Sequence, residues 1–231
     1  METSLHRELK LLYAGPAAQT EVRCGRYRVD AVVGDELIEI QHGHLAAIGR
    51  KVSELLADYE VRIVKPIVRE KMIFKRRRRG GPVASRRRSP KRGRLIDLFD
   101  EMVRFTKVFP HPRLSIEALL VDVEEYRHPG HGRRRWRHAN DFQVADQLLV
   151  RAGDSRVLRT PADLVRLLEC ELPARFDTAV LAEVLNEPRD VAQKIAYCLR
   201  ETGGVRKVGK RRNALVYEVV DAGNGRAPQA A

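Results

Sequence analysis

The sequence predicts an α/β protein in which a mixed β-sheet domain precedes a smaller, mostly helical domain. Two observations support this division. Short β-branched runs alternate with helical periods through the first two thirds of the chain, whereas helix caps and helical spacing dominate the last third. The chain has 231 residues and is 43% apolar, enough for one large or two small domains with a buried core. We expect domains at residues 1–155 and 156–221 and a disordered tail at 222–231.

The amino-terminal elements are predicted in the order helix, three strands, helix, strand. Ser4 can cap a helix over about residues 5–13, with Leu5, Leu9 and Leu12 on its apolar face. The apolar periods then predict strands at 21–24, 27–33 and 36–41, a helix over 45–58 and a buried strand over 61–68. Gly34-Asp35 suits a type II′ turn between the second and third strands.

A basic tract follows, with 11 Lys or Arg and no acidic residue between Lys75 and Arg94. This insert, at about 71–94, suits either a disordered arm or, because Gly80-Gly81 divides it, a long basic hairpin. Beyond it the sequence predicts a helix at 95–106 and strands at 115–126 and 144–150. A second basic patch between these strands interleaves Trp136 with arginines.

The last third begins with a helix cap at Thr160-Pro161. Further helices are predicted from Asp177 or Thr178 and from Pro188 to Gly203, and strands at 205–208 and 214–220 surround a loop at 209–213. Three helices followed by a two-stranded hairpin resemble a winged helix-turn-helix domain. This resemblance, over about residues 160–220, implies DNA contact by the third helix and the wing. A winged helix used for protein contacts is the alternative.

The charge balance favours a polyanionic partner. Lys and Arg number 44 against 31 acidic residues, giving a net charge of +13 and a pI near 10.1. Biased genomic composition is an alternative source of this surplus. The three cysteines form no CxxC pair, so neither a disulfide nor a zinc site is indicated, and we expect each cysteine to be buried. No apolar run is long enough for a membrane span and no signal peptide is evident, so we expect a cytoplasmic protein, nucleoid-associated if prokaryotic.

The predicted hairpin places acidic residues together. Counted outward from Gly34-Asp35, Asp30 lies opposite Glu39, and Asp30, Glu39 and Gln41 share one face. Two opposed carboxylates repel each other, and a divalent cation between them would relieve that repulsion. Mg²⁺ in such a site could activate water and stabilise charge on a phosphodiester. A solvent-facing strand edge is the alternative explanation of the same pattern.

The element order together with Asp30 and Glu39-Ile40-Gln41 resembles the PD-(D/E)XK nuclease superfamily, the restriction-endonuclease-like fold, over about residues 4–68. The family pattern has an acid on the first helix, matched by Glu8, an aspartate on the second strand and Glu-x-Lys on the third. The resemblance implies a metal-dependent endonuclease in which Asp30 and Glu39 hold Mg²⁺ or Mn²⁺. It also leaves open a homodimer that cuts both strands.

Gln41 stands where the family has a lysine that orients or activates the attacking water. Gln can position water but carries no charge, and Lys51 on the following helix could supply the charge. Glu21 is another candidate acid. His42 and His44 could line the cleft or lie on the surface, and His128, His131 and His138 lack the cysteine partners of a zinc site.

The basic residues supply the candidate contacts to nucleic acid, double-stranded DNA above all. They are Arg76, Arg77, Arg78, Arg79, Arg86, Arg87 and Arg88 in the first tract, Arg133, Arg134, Arg135 and Trp136 in the second, and Arg189, Gln193, Lys194, Tyr197, Lys210, Arg211 and Arg212 in the carboxyl-terminal domain. Two rivals to the endonuclease stay open: a non-catalytic DNA-binding regulator with a degenerate nuclease core, and an RNA-binding protein.

Overall fold

The computed structural model describes residues 3–15, 19–130 and 141–220. The chain divides into two compact units, of which the first comprises Met1–His42, Asp58–Leu95 and Glu117–Arg156 and the second Gly43–Ala57, Ile96–Ile116 and Val157–Ala231. The last junction falls near the boundary predicted at residue 155, but the second unit also takes two segments from the amino-terminal half. No helix within the described residues has the length and apolar character needed to span a membrane.

The first unit is built on a mixed sheet, which confirms the α/β class. Its elements are α1 (Ser4–Ala14), β1 (Gln19–Cys24), β2 (Tyr27–Val33), β3 (Glu36–Ile40), β4 (Glu60–Arg76), β5 (Val83–Arg88), β6 (Leu114–Pro129) and β7 (Phe142–Leu158). Among the described residues the sheet has seven strands in the order β1-β2-β3-β4-β6-β7, with β5 paired to β4. The β1–β2 and β2–β3 pairs are antiparallel, whereas β3–β4 is parallel. The predicted order of helix, three strands, helix and strand is present along the chain.

The hairpin between β2 and β3 has the predicted register. Val33 pairs with Glu36 and Ala31 with Ile38. Gly34 has a φ of +58°, the conformation that a type II′ turn requires at its first central residue. Ile38 belongs to a buried cluster that α1 covers, together with Ala31, Ile40 and Val64 of the neighbouring strands. A one-residue slip would move these apolar side chains to the other face, so burial enforces this register.

Helix α1 buries a different stripe from the predicted one. Leu5 and Leu9 are fully buried, but Leu12 is 56% exposed, so its assignment to the apolar face was wrong. The buried stripe includes Lys10, and the half-buried His6 lies one turn before it. The cap prediction was also wrong: Thr3 accepts from the His6 amide, while Ser4 bonds to Asp146 of β7. Two polar residues are therefore partly or fully buried at helix positions that the apolar periodicity predicts to be exposed.

The basic tract forms a hairpin, so the disordered-arm alternative was wrong. Strand β4 runs well beyond the predicted end at residue 68 and pairs antiparallel with β5, from Met72 with Arg88 to Arg76 with Val83. We call residues 72–88 the basic hairpin. Strands β6 and β7 also extend past their predicted limits. Main-chain hydrogen bonds between neighbouring strands extend them beyond the point at which the apolar alternation used for prediction gives way to charged residues.

The second unit is mainly helical. Its elements are α2 (Gly49–Leu55), α3 (Leu98–Met102), α4 (Pro161–Arg166), α5 (Thr178–Leu185), α6 (Arg189–Thr202), β8 (Val205–Arg211) and β9 (Ala214–Val219). Helices α2 and α3 are shorter than predicted, because a 3-10 turn precedes each of them. The predicted caps at Thr160 and Asp177 are confirmed, and Gly203 ends α6 with a φ of +86°.

Two local predictions for this part of the chain need correction. Strand β8 continues to Arg211, so most of the loop expected at residues 209–213 is strand, closed by a tight turn. The cysteines also differ from expectation: Cys198 is buried, Cys24 is half-buried and Cys170 is exposed. Cysteine is buried on average, but nothing in a single sequence fixes this for one position.

Candidate functional site

Asp30 lies where β2 and β3 begin to separate. The last rung of their ladder joins Ala31 and Ile38. Beyond it the Ile40 amide donates to the Asp30 carboxylate at 2.7 Å, so a side chain replaces the expected main-chain acceptor. The other carboxylate oxygen is 2.9 Å from Nε2 of His6 on α1. Asp30 therefore joins the hairpin to the helix at this edge of the strand pair.

The surroundings of Asp30 favour its ionised form. Burial acts to raise the pKa of this carboxyl, but hydrogen bonds from His6 and from the Ile40 amide, with the positive charge of Lys10, outweigh burial and hold the pKa below its usual value. A carboxylate that accepts hydrogen bonds is stabilised in its charged state. Asp30 is thus a negative charge at neutral pH.

His42 and Lys65 adjoin this carboxylate. The rings of His6 and His42 are 5.6 Å apart, and Nε2 of His42 is buried without a hydrogen-bond partner among the described residues. Burial first, and then the positive charges of His6 and Lys65, lower the pKa of His42 to about 4, so it is neutral at pH 7. Lys65 is only 6% exposed and donates to the His42 carbonyl at 3.2 Å. A neutral imidazole thus lies near an ionised carboxylate, and a buried ammonium binds the main-chain carbonyl of the same histidine.

Glu39 and Gln41 belong to the adjoining part of β3 and its extension. Glu39 pairs with Ile63 in the parallel β3–β4 ladder, and the Gln41 amide donates to the Val64 carbonyl at 2.9 Å. Strand alternation places Glu39 on the face opposite Ile38, whereas the Asp30 carboxylate contacts His6 of α1. A direct pairing of Asp30 with Glu39 stays a prediction.

The remaining acidic candidates have other partners. Glu8 accepts from the Leu149 amide of β7 at 2.7 Å, and His6 is the α1 residue that hydrogen-bonds Asp30. Glu21 has a φ of +58° and forms ion pairs with Lys10 and Arg28, so α1 and β2 cations neutralise it.

The two candidates after β3 lie in the second unit. Lys51 is a half-buried residue of α2. His44 is exposed, with its Nδ1 3.3 Å from Glu101.

The described residues do not form a preassembled metal site. No group of three or more His, Cys, Asp or Glu side chains within residues 3–15, 19–130 and 141–220 has the arrangement needed to hold a metal ion. Mg²⁺, however, commonly takes only one or two carboxylates and completes its shell with water and substrate phosphate. Each carboxylate oxygen offers two acceptor positions, so the hydrogen bonds of Asp30 leave acceptor capacity. Asp30 and Glu39 have the ligand chemistry for such an ion.

The basic hairpin presents cations on both faces. Every residue of β5 is exposed, as are Arg77, Arg78 and Arg79 at the turn. Arg87 lines one concavity at the foot of the hairpin, and Arg86 and Arg88 line another. Because neighbouring strand residues point to opposite faces, three successive arginines charge both sides of the ribbon.

The basic candidates of the second unit divide into two groups. Arg189, Gln193 and Arg212 line an open concavity of about 980 Å³ beside the β8–β9 hairpin. The others have internal partners: Lys194 donates to Asp100 at 2.8 Å, Arg211 pairs with Asp177, and the Arg200 guanidinium lies over Tyr197.

Two further sets complete the predicted contacts. Lys210 is exposed on β8. Arg133, Arg134, Arg135 and Trp136 lie outside the described residues.

Sequence reasoning missed two residues, His6 and Lys65, of the acidic site formed with Asp30 and His42, and it left the role of His42 open. His6 was not singled out, His42 was weighed against a surface role, and Lys65 was included in an apolar strand. A usable pattern was present, because His6 and Lys10 are four residues apart on the helix and so share a face. Lys65 interrupts a β-branched run that otherwise predicts a buried strand, and a lysine at such a position requires a polar partner.

The fold and the site together define a mixed α/β protein with an Asp-His cluster beside its central strands and an exposed basic hairpin. The chain belongs to the family described as "Domain of unknown function (DUF8091)", which matches residues 3–159. A protein of Treponema pallidum (strain Nichols) described as "Uncharacterized protein" is 25% identical over 229 residues, covering 98% of this chain and 89% of that relative. No solved structure matches the chain significantly.

Proposed function

We propose that the protein binds nucleic acid and that the basic hairpin is its principal contact surface. One observation supports this most directly: eleven cations and no acid lie between Lys75 and Arg94, and the fold displays many of them on an exposed two-stranded ribbon. Clustered like charges repel each other, so the ribbon has an electrostatic cost in the free protein. A polyanion removes that cost and gains entropy by releasing its counterions.

A binding comparison tests this proposal and identifies the nucleic acid. Fluorescence anisotropy at matched salt would compare duplex DNA, single-stranded DNA and a structured RNA with the full-length protein. We expect submicromolar to micromolar binding that weakens in the variant Arg77→Ala/Arg78→Ala/Arg79→Ala. Tighter binding of structured RNA than of duplex DNA would identify an RNA-binding protein. Equal binding by the variant and the wild type would contradict the role of the hairpin.

The second candidate function is metal-dependent hydrolysis of phosphodiester bonds. Its support is an ionised Asp30 at the point where two strands separate, next to Glu39-Ile40-Gln41, within the element order of a restriction-endonuclease-like fold. Asp30 and Glu39 would hold the ion, which would polarise the phosphate and lower the pKa of water. Gln41 would position water.

Plasmid nicking with Mg²⁺ or Mn²⁺ tests the second candidate. We expect nicking by the wild type and none by Asp30→Ala, with DNA affinity unchanged. Asp35→Ala is the matched control, because Asp35 is an exposed acid in the turn between the same two strands and should be dispensable. Wild-type protein that binds DNA but cuts it with neither metal would be a non-catalytic DNA-binding regulator.

The helices α4–α6 with the β8–β9 hairpin supply a second contact surface in this proposal, used as a winged helix. The supporting observation is that the start of α6 and the hairpin turn line one open concavity through Arg189, Gln193 and Arg212. Arg189→Ala should weaken DNA binding more than Arg166→Ala, because Arg166 already pairs with Asp163. Equal effects of the two substitutions would exclude this surface.

A further inference from the structure

A small concavity lies at the foot of the basic hairpin, and we call it the base pocket. It has a volume of about 210 Å³, and its lining includes Lys75, Arg76, Arg87, Arg127, His128 and Phe142. Among the described residues that line it, Asp141 is the single acid, so Lys and Arg exceed acids by three. A concave surface lined mainly by one sign of charge focuses the electrostatic potential.

Two of the arginines are held in place by aromatic rings. The Arg127 guanidinium lies 3.7 Å from the centre of the Phe142 ring, and the Arg76 guanidinium lies 4.9 Å from that of Tyr126. Tyr126 in turn stacks on Phe74, with ring centres 4.9 Å apart. Arg127 also pairs with the buried Glu125. These contacts fix the donors before any ligand arrives, which lowers the entropy cost of binding.

One residue that lines the pocket carries a donor that lacks an acceptor. Nε of Arg76 is buried and has no hydrogen-bond partner among the described residues. A buried N–H without a partner costs free energy, so an anion that accepts from it would gain more than the same anion at an exposed arginine. The ligand class indicated is a compact, highly charged oxyanion.

We propose that the base pocket binds the terminal phosphomonoester of a nucleic-acid strand, an inference that rests on the proposed nucleic-acid binding. A terminal phosphate carries a charge of about −1.5 to −2 at pH 7, against −1 for each internal phosphodiester. It also stands at a chain end, which can enter a concavity that the continuous backbone must pass over. The exposed arginines of the basic hairpin then hold internal phosphates, and the base pocket holds the end.

Binding of one short oligonucleotide sequence in three forms tests the proposal: with a 5′-phosphate, with a 3′-phosphate and with hydroxyls at both ends. An internal fluorophore leaves the ends free. For the full-length wild type we expect one phosphorylated form to bind roughly tenfold more tightly than the hydroxyl form, the gain typical of added charge-assisted hydrogen bonds. The preferred form shows whether the 5′ or the 3′ end is bound. Inorganic phosphate should abolish the extra affinity of the phosphorylated form by competing for the base pocket.

The β5 strand offers a matched pair of variants. Arg87 lines the base pocket, whereas Arg88, the next residue on the same exposed strand, lines the other concavity. Both Arg87→Ala and Arg88→Ala should weaken binding of every oligonucleotide by a similar factor. Only Arg87→Ala should reduce the phosphate preference to less than about twofold. Arg76→Lys keeps the charge but removes the Nε donor, and should also reduce the preference if Arg87→Ala proves unstable.

The outcomes separate this inference from the proposed function. Hairpin-dependent binding with no preference for a phosphorylated end would overturn the base pocket and leave nucleic-acid binding intact. Equal loss of preference in the two β5 variants would also overturn it, because the preference would then depend on total charge. Failure of every oligonucleotide to bind would overturn both.

Discussion

The strongest quantitative prediction concerns the arginines at the turn of the basic hairpin. Arg77, Arg78 and Arg79 are exposed and belong to a segment without acids. If each contacts a phosphate, the variant with alanine at all three positions should release three fewer counterions from the DNA when it binds. The dependence of log K on log[salt] should then become shallower by about 2.7, that is, 0.9 for each contact on duplex DNA.

This change in slope has a large effect on measured affinity. Between about 50 and 200 mM salt, the binding constant of the wild type should therefore fall by a factor roughly 40 times larger than that of the triple variant. Anisotropy titrations of one duplex at four salt concentrations, with wild type and triple variant in parallel, measure the slope directly. The variant should bind more weakly at low salt, and the two proteins should converge as salt rises.

A control of equal charge tests whether the location of the arginines matters. Arg28, Arg50 and Arg166 are also exposed, but each forms an ion pair, with Glu21, Glu54 and Asp163 respectively. Replacing these three with alanine lowers the net charge of +13 by the same amount. An equal change of slope in the two triple variants would refute the reasoning, because binding would then follow total charge and not the hairpin.

Three further predictions concern stability, measured by chemical denaturation. Unfolded His42 takes up a proton near pH 6.5 and folded His42 only near pH 4. The free energy of unfolding is therefore unaffected by this group above pH 6.5 and falls by about 2–3 kcal/mol as the pH drops to 4.5. His42→Asn should remove that loss, whereas His44→Asn, at an exposed position, should retain it. Leu9→Ala should cost about 2–5 kcal/mol because Leu9 is fully buried, against less than about 0.5 kcal/mol for the exposed Leu12→Ala. Thr160→Ala should lower the free energy of unfolding by about 1 kcal/mol through loss of the capping box, with a smaller effect in acid, once Asp163 becomes protonated.

Local rules predicted much of the fold because they act within a few residues. The turn at Gly34-Asp35 depends on one glycine conformation, and the caps at Thr160 and Asp177 depend on side chains next to their own amides. The ends of the long strands could not be predicted in this way. Strand β4 continues through Lys71 and Lys75 because β5 and β6 pair with it, and such pairing is tertiary.

The acidic site was less predictable than the fold, for a related reason. Asp30 was chosen as a metal ligand opposite Glu39, which stays a prediction, and the structure shows its carboxylate bonded to His6 of α1 and to the Ile40 amide. The residue on α1 that contacts it is His6, although the resemblance favoured Glu8. Which residue of a helix meets a given strand depends on the rotation of that helix against the sheet. His6 and Glu8 are two residues apart and so point in directions about 200° apart around the helix axis.

The turn of the basic hairpin and its foot differ in how firmly their basic side chains are held, and the position of the acidic residues explains the difference. At the foot, the buried Glu125 accepts from Lys71 at 2.8 Å and from Gln147 at 2.7 Å. Burial raises the pKa of Glu125, but these hydrogen bonds and the nearby positive charges outweigh it, so Glu125 stays ionised and links β4, β6 and β7 at neutral pH. Beyond Lys75 no acid follows until Asp97, and nothing of opposite charge in that stretch restrains the arginines of the turn. Ion pairs and hydrogen bonds hold the side chains at the foot in place, whereas the arginines of the turn are exposed. This arrangement fits a surface that binds the terminal phosphate of a nucleic-acid strand at the foot and its internal phosphates along the hairpin.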